Sequence, residues 1–161
     1  MAFLLLPVFA VAQDCNLKKS TDPFTHETKL STGFIPFTKS KISVDASPSL
    51  IDIFIWVTGD QRCYDDQSTV EVIFEGEKTK WKFKNTGTMN CDGAFHFSFK
   101  NYTTTNSQLN KIATKKLAQI KLVGSDKAET VIIFNEDQKT ALMNMVSCVV
   151  NKGKTLIPPQ Q

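Results

Sequence analysis

Several short stretches of the chain alternate apolar and polar residues with period two. Between Thr69 and Phe74, Val70, Val72 and Phe74 share one face, and between Lys80 and Lys84, Trp81 and Phe83 stand among lysines. Successive side chains leave a strand on opposite faces, so each run predicts a half-buried strand. The intervening Glu75-Gly76-Glu77-Lys78 carries turn chemistry and predicts a β-hairpin. Phe95, Phe97 and Phe99 alternate with His96, Ser98 and Lys100 over 94–100, which sends His96 to the polar face. Ala118–Val123 and Glu129–Phe134 predict a second hairpin about Gly124-Ser125-Asp126-Lys127. Leu50–Thr58 reads differently: Leu-Ile-Asp-Ile-Phe-Ile-Trp-Val-Thr is apolar on both faces and β-branched, the pattern of a central strand covered on both sides. Thr28–Phe37 and Lys41–Val44 bring the total to about eight strands, with Pro36, which has no N–H to donate, suited to an edge.

The pattern changes to helical spacing twice. Leu109, Ile112 and Ala113 follow a cap at Asn106, predicting one short helix. Asn135 and Gln138 form a capping box ahead of Leu142, Met145, Val146 and Val149, whose i, i+3, i+4, i+7 spacing predicts an amphipathic helix over 136–152. Gly153 is expected to close it in a left-handed cap, with a frayed tail over 156–161. The predicted fold class is therefore α+β, mainly antiparallel β, as a sandwich-like or curved sheet with the terminal helix on a face or edge.

Composition bounds this picture. A chain of 161 residues has room for one domain, and 19 Lys+Arg against 16 Asp+Glu is too even to announce nucleic acid as a partner. Met1–Ala12 is an apolar run ahead of the first charge, Asp14. As a helix it would reach about 18 Å, short of the roughly 30 Å hydrocarbon core, so no transmembrane span is expected. It closes on Ala10-Val11-Ala12, the small-x-small pattern of a cleavage site, and residues 1–13 read as a signal peptide lacking a basic n-region. Residues 14–155 then form a single globular domain, secreted or periplasmic.

Export gives the four cysteines a meaning. In an oxidising compartment Cys15, Cys63, Cys91 and Cys148 form two disulfides, and no Cys-x-x-Cys pair suggests a metal or redox site. Three pairings are open. Cys63 lies thirteen residues before Gly76 and Cys91 fifteen after it, positions a hairpin returns to one end of the sheet. This favours Cys63 with Cys91 and leaves Cys15 with Cys148.

Candidate chemistry is sparse. His26-Glu27-Thr28-Lys29-Leu30 begins like a zinc-peptidase motif, but Leu30 stands where the second histidine must be. The glycines form no phosphate-binding loop and no nucleophile elbow. No catalytic residue, metal or cofactor is assigned. Asp60, Asp65 and Asp66 crowd one loop, where carboxylates could hold calcium or serve hydrolysis with Asp52 or Glu71, although a solvated acidic turn is the simpler reading. Trp56 and Trp81 fall on inward faces as core residues. Tyr64 and Tyr102 fall in loops, and with Asp60, Asp65 and Asp66 they form the candidate ligand surface. Asn101-Tyr102-Thr103 is a glycosylation sequon.

The order of features resembles small secreted proteins of Bacteroidetes-type bacteria. It is carried by a leader ending in Ala-Gln, an early Cys15, Asp22-Pro23-Phe24-Thr25, Asn85-Thr86-Gly87, Asn90-Cys91-Asp92-Gly93, the Leu109 to Lys121 stretch and a closing helix ending at Cys148. His26 departs from it, in a turn where a small residue is expected. The resemblance implies an exported address and this fold, and no activity. The expected role is an exported non-enzymatic binding or envelope-associated module whose partner is a protein or glycan of the envelope. The alternatives are a small secreted hydrolase using acids of the Asp60–Asp66 loop and an exported protein inhibitor.

Overall fold

A computed structural model of the chain describes residues 15–59 and 62–159; the proposed signal peptide and Asp60 lie outside them. Ten strands run in the order β1 (Lys18–Thr21), β2 (Thr28–Ser31), β3 (Ile35–Phe37), β4 (Ser40–Ala46), β5 (Leu50–Val57), β6 (Thr69–Phe74), β7 (Lys80–Lys84), β8 (Ala94–Lys100), then β9 (Leu117–Val123) and β10 (Glu129–Ile133) after helix α1 (Ser107–Thr114). Helix α2 (Glu136–Gly153) and a 3₁₀ turn (Lys154–Leu156) follow β10. The fold is α+β, and every strand pairing is antiparallel.

The strands form two sheets. The first has order β1-β2-β4-β5-β8, with β3 also paired to β4; the second has order β10-β9-β6-β7. The single strand expected over 28–37 is broken at Thr32–Phe34, where Gly33 takes a φ of +67°. β1 had no signal in the sequence because all four of its residues are exposed; pairing with β2 alone holds it.

The inner faces of both sheets and α2 build one core. Ile42, Val44 and Ala46 of β4, Ile51, Ile53 and Ile55 of β5, and Phe95, Phe97 and Phe99 of β8 are buried from the first sheet. The second contributes Val70, Val72, Phe74, Ile120, Leu122 and Ile132. Phe83 of β7 stacks on Phe97, with centroids 5.1 Å apart, and meets Phe99 edge-on, so aromatic rings join the two sheets. α2 buries Leu142, Met145, Val146, Val149 and Val150.

Both helix starts match their sequence signals: Asn106 accepts from the amides of Gln108 and Leu109, and Asn135 with Gln138 forms the reciprocal capping box. Gly153 corrects an expectation. Its φ of −60° is right-handed, and the chain passes straight into the 3₁₀ turn. Glycine is needed there for space, since a Cβ would lie 2.9 Å from the Ala46 Cβ. At that contact α2 crosses the inner face of the first sheet. His26 has a φ of +57°, in the left-handed region that residues other than glycine seldom adopt.

Disulfides join Cys63 to Cys91 and Cys15 to Cys148. Cys15–Cys148 ties the described N-terminus to α2. Cys63–Cys91 links the approach to the second sheet with the approach to β8. No described helix is long and apolar enough to cross a membrane.

Candidate functional site

β5 is covered on one side only. Its burial alternates strictly, with Ile51, Ile53, Ile55 and Val57 inside, and it leaves Asp52, Phe54 and Trp56 on the outer face. The expectation of burial on both faces is therefore wrong, and Trp56 is not a core residue but 42% exposed. An apolar residue on an uncovered sheet face reads in sequence like one on a covered face. Trp81 stays half-buried against the core, edge-on to Phe74.

Strand register sets a lattice of side chains on this outer face. Asp45, Asp52 and Ser98 form one row across β4, β5 and β8; Ser43, Phe54 and His96 form the next; Lys41, Trp56 and Ala94 form the third. Two aspartates directly opposite each other repel. Asp52 is compensated locally by Ser98, whose Oγ donates to Asp52 Oδ1 at 2.7 Å; Ser43 donates to Asp45 Oδ2, while Asp45 Oδ1 is buried without a hydrogen-bond partner among the described residues. His96 leans across to the first row, where its Nδ1 lies 2.7 Å from Asp52 Oδ2 in a contact whose imidazole N–H donates to the carboxylate. Its ring also stacks on Phe54, with centroids 3.9 Å apart. Phe34, 42% exposed, meets Phe54 and Trp56 edge-on and fixes both rings.

The loop after β7 borders this lattice. Asn85 is buried, with Oδ1 accepting from the amides of His96 and Gly87 and Nδ2 donating to the Asp65 carbonyl. Thr86 N–H donates to the His96 carbonyl, and the Thr86 and Ser98 hydroxyls lie 2.8 Å apart. Gly87 permits this approach, because a Cβ there would lie 2.8 Å from His96 Cδ2. The Asn85-Thr86-Gly87 motif thus works as a wall beside His96.

Two cavities open on the face. One of about 350 Å³ is lined by Lys29, Asp45, Asp52, Thr86, His96 and Ser98, among others. The second, about 750 Å³, is lined by Lys41, Phe54, Trp56, Cys91, Asp92 and Ala94, among others. Phe54 borders one and His96 the other, so their stacked pair is the ridge between them. The Cys63–Cys91 bridge fixes the rim of the larger cavity, together with Asn90, whose amide side chain bonds both backbone groups of Ala94.

The described residues expected to bind ligand lie elsewhere. Tyr64 is corrected outright: it is 1% exposed, edge-on to Phe95, and bridged through its backbone to Asn90. Burial pushes its phenol above the usual value. Asp65 Oδ1 accepts from the Ser68 hydroxyl and from the amides of Gln67 and Ser68. These bonds, the hydroxyl first, hold its carboxyl below the usual range and assign it to shaping its own loop. Asp66 is exposed. Tyr102 is 57% exposed and lines a separate hollow with Phe83, Lys100 and Asn106. Asp65 and Asp66 do not line the cavities that hold His96 or Tyr102. The sequon asparagine, Asn101, is buried, and its Nδ2 donates to the Ser47 and Gly153 carbonyls, so it serves packing.

Among the described residues no three His, Cys, Asp or Glu side chains gather as a metal site. Asp52 orients His96 as a general base is oriented in hydrolases, but no described side chain of a nucleophile bonds the far nitrogen of the ring. What the face offers is ring surface beside hydrogen-bonding groups. No family model matches the chain, and neither curated proteins nor solved structures give a match.

Proposed function

We propose that this protein is an exported, non-enzymatic binding module whose ligand lies on the outer face of the six-stranded sheet. The observation that carries the reading is the aromatic strip of Phe34, Phe54 and Trp56 standing on an uncovered sheet face beside the Asp52–His96–Ser98 cluster. Large rings held rigidly at a surface present contact area with little conformational entropy left to lose on binding. Two disulfides suit an oxidising compartment, and the apolar Met1–Ala12 run supplies a route to it. The resemblance to small secreted Bacteroidetes-type proteins agrees with that address. A hydrolase built on the acidic loop loses support because Asp65 is engaged by Ser68, and neither Asp65 nor Asp66 lines the cavity that holds His96.

Sedimentation with the envelope fraction of the source cells tests the binding face. Trp56→Ala is expected to lower the retained fraction several-fold, while Tyr102→Ala, exposed on another hollow, leaves it unchanged. Equal retention of all three proteins overturns the assignment. N-terminal sequencing of exported material should begin at Gln13 or Asp14; recovery of Met1 rejects the leader.

A further inference from the structure

The chemistry of the same face narrows the ligand, and we propose that it is a neutral oligosaccharide laid along β5 across both cavities; this rests on the binding reading above. Asp52 and Trp56 are four residues apart on one strand face, about 13 Å at 3.3 Å per residue. That span exceeds one pyranose ring, so the site suits a chain of them. At one end the exposed Trp56 ring, held by Phe34, offers a flat apolar surface to the C–H face of a sugar. At the other, Asp52, His96, Ser98 and Thr86 place a carboxylate, an imidazole and two hydroxyls around one cavity, a set that accepts from and donates to adjacent sugar hydroxyls.

Other ligand classes fit less well. Lys29 and Lys41 stand against Asp45, Asp52 and Asp92 around the two cavities, so a phosphate chain or polyanion finds no excess of positive charge. A peptide added as a further strand needs a free edge on β8, yet beside His96 that edge is taken: Thr86 donates to the His96 carbonyl and Asn85 accepts from its amide. An acyl chain needs an enclosed apolar pocket, and here Lys29, Asp45 and Asp52 stand in one cavity while Lys41 and Asp92 interrupt the apolar lining of the other.

The test has two arms. In the first, the mature protein is titrated with hexasaccharides of β-1,4-glucose, β-1,4-mannose, β-1,4-xylose, α-1,4-glucose and β-1,4-N-acetylglucosamine, and the Trp56 indole and His96 imidazole signals are followed by NMR. At least one should shift both, its monosaccharide binding about tenfold more weakly. Trp56→Ala should weaken that binding by about tenfold or more, and Asp52→Asn several-fold, with the fold of each variant checked by circular dichroism. In the second arm, the envelope fraction is oxidised with periodate before sedimentation. Loss of Trp56-dependent retention supports the proposal even when the ligand is a glycan outside the panel. Trp56-dependent retention that survives oxidation, with no panel sugar shifting the Trp56 signal, overturns the saccharide and leaves a binding face for another class. Shifts confined to other parts of the molecule also overturn it, and retention indifferent to Trp56 removes both readings together.

Discussion

The two sheets turn very different outer faces to solvent. On the second, Glu71 of β6 stands opposite Lys121 of β9 and pairs with it at 3.4 Å, Lys121 reaches Glu129 of β10 at 3.0 Å, and Lys80 of β7 completes the group around Glu71. The Glu129 and Glu71 carboxylates raise the Lys121 pKa above its ordinary value. Only the aliphatic Val131 and Ile133 on the edge strand stand exposed beside these pairs. On the outer face of the first sheet, the ion pair among the described residues is Asp52 with His96, and the rings of Phe34, Phe54 and Trp56 stand beside it. A face whose charges answer one another has little left for a ligand. A face that holds rings apart and keeps two cavities open is shaped for contact.

Removing the Cys63–Cys91 bridge gives the largest effect, since it joins the approaches to the two sheets. A closed loop of this size contributes about 3.5 kcal/mol in the chain-entropy model, so a Cys63→Ala, Cys91→Ala protein should melt well below the parent. Its Trp56 fluorescence should also change, because Cys91 and Asp92 rim the same cavity. An unchanged emission would mean that the rim stands without the bridge.

Gly87→Val comes next. The added Cβ meets His96 Cδ2 at 2.8 Å, so the ring or the loop must shift, at a cost of about 1–3 kcal/mol. The His96 ring signals should move while those of Lys121 on the other sheet stay in place; movement of both would show that the outer faces are coupled.

Asp52→Ala and Glu71→Ala compare the faces directly. The first leaves the His96 N–H without its acceptor and takes one of the two partners of the Ser98 hydroxyl in a half-buried site, a loss of about 1–3 kcal/mol that salt should not remove. The second takes one carboxylate from a network near the surface and should cost at most about 1 kcal/mol, shrinking at high ionic strength. Denaturant melts at low and high salt separate the two, and equal salt sensitivity would erase the distinction.

The smallest effect lies on neither face, at the start of α2. Lys139 and Lys116 hold the Glu136 carboxyl down at about 2 from an ordinary 4.5. A carboxyl whose folded value is lowered adds stability that is present above 4.5 and lost as pH falls toward 2. Glu136→Gln should therefore lower the neutral melting temperature slightly and converge with the parent as pH falls toward 2, flattening the pH dependence within that window, which a pH series of thermal melts will read.

What the sequence determined by itself is local. The turn at Gly76, the alternation of Val70, Val72 and Phe74, the caps at Asn106 and Asn135, and the pairing favoured by the spacing of Cys63 and Cys91 about one hairpin are all written within a few turns or strands of chain. Period two announces two faces and stays silent on which of them a neighbour will cover. Tertiary structure therefore decided that β5 is open on the side of Asp52, Phe54 and Trp56. It also decided that Tyr64 sinks against Phe95, and that Gly153 serves contact with Ala46 instead of a left-handed cap. The candidate site was legible only in part: Asp52 interrupts an apolar run and His96 falls on a polar face. Their meeting at 2.7 Å depends on the register of β5 with β8, a contact across 44 residues that no local pattern encodes.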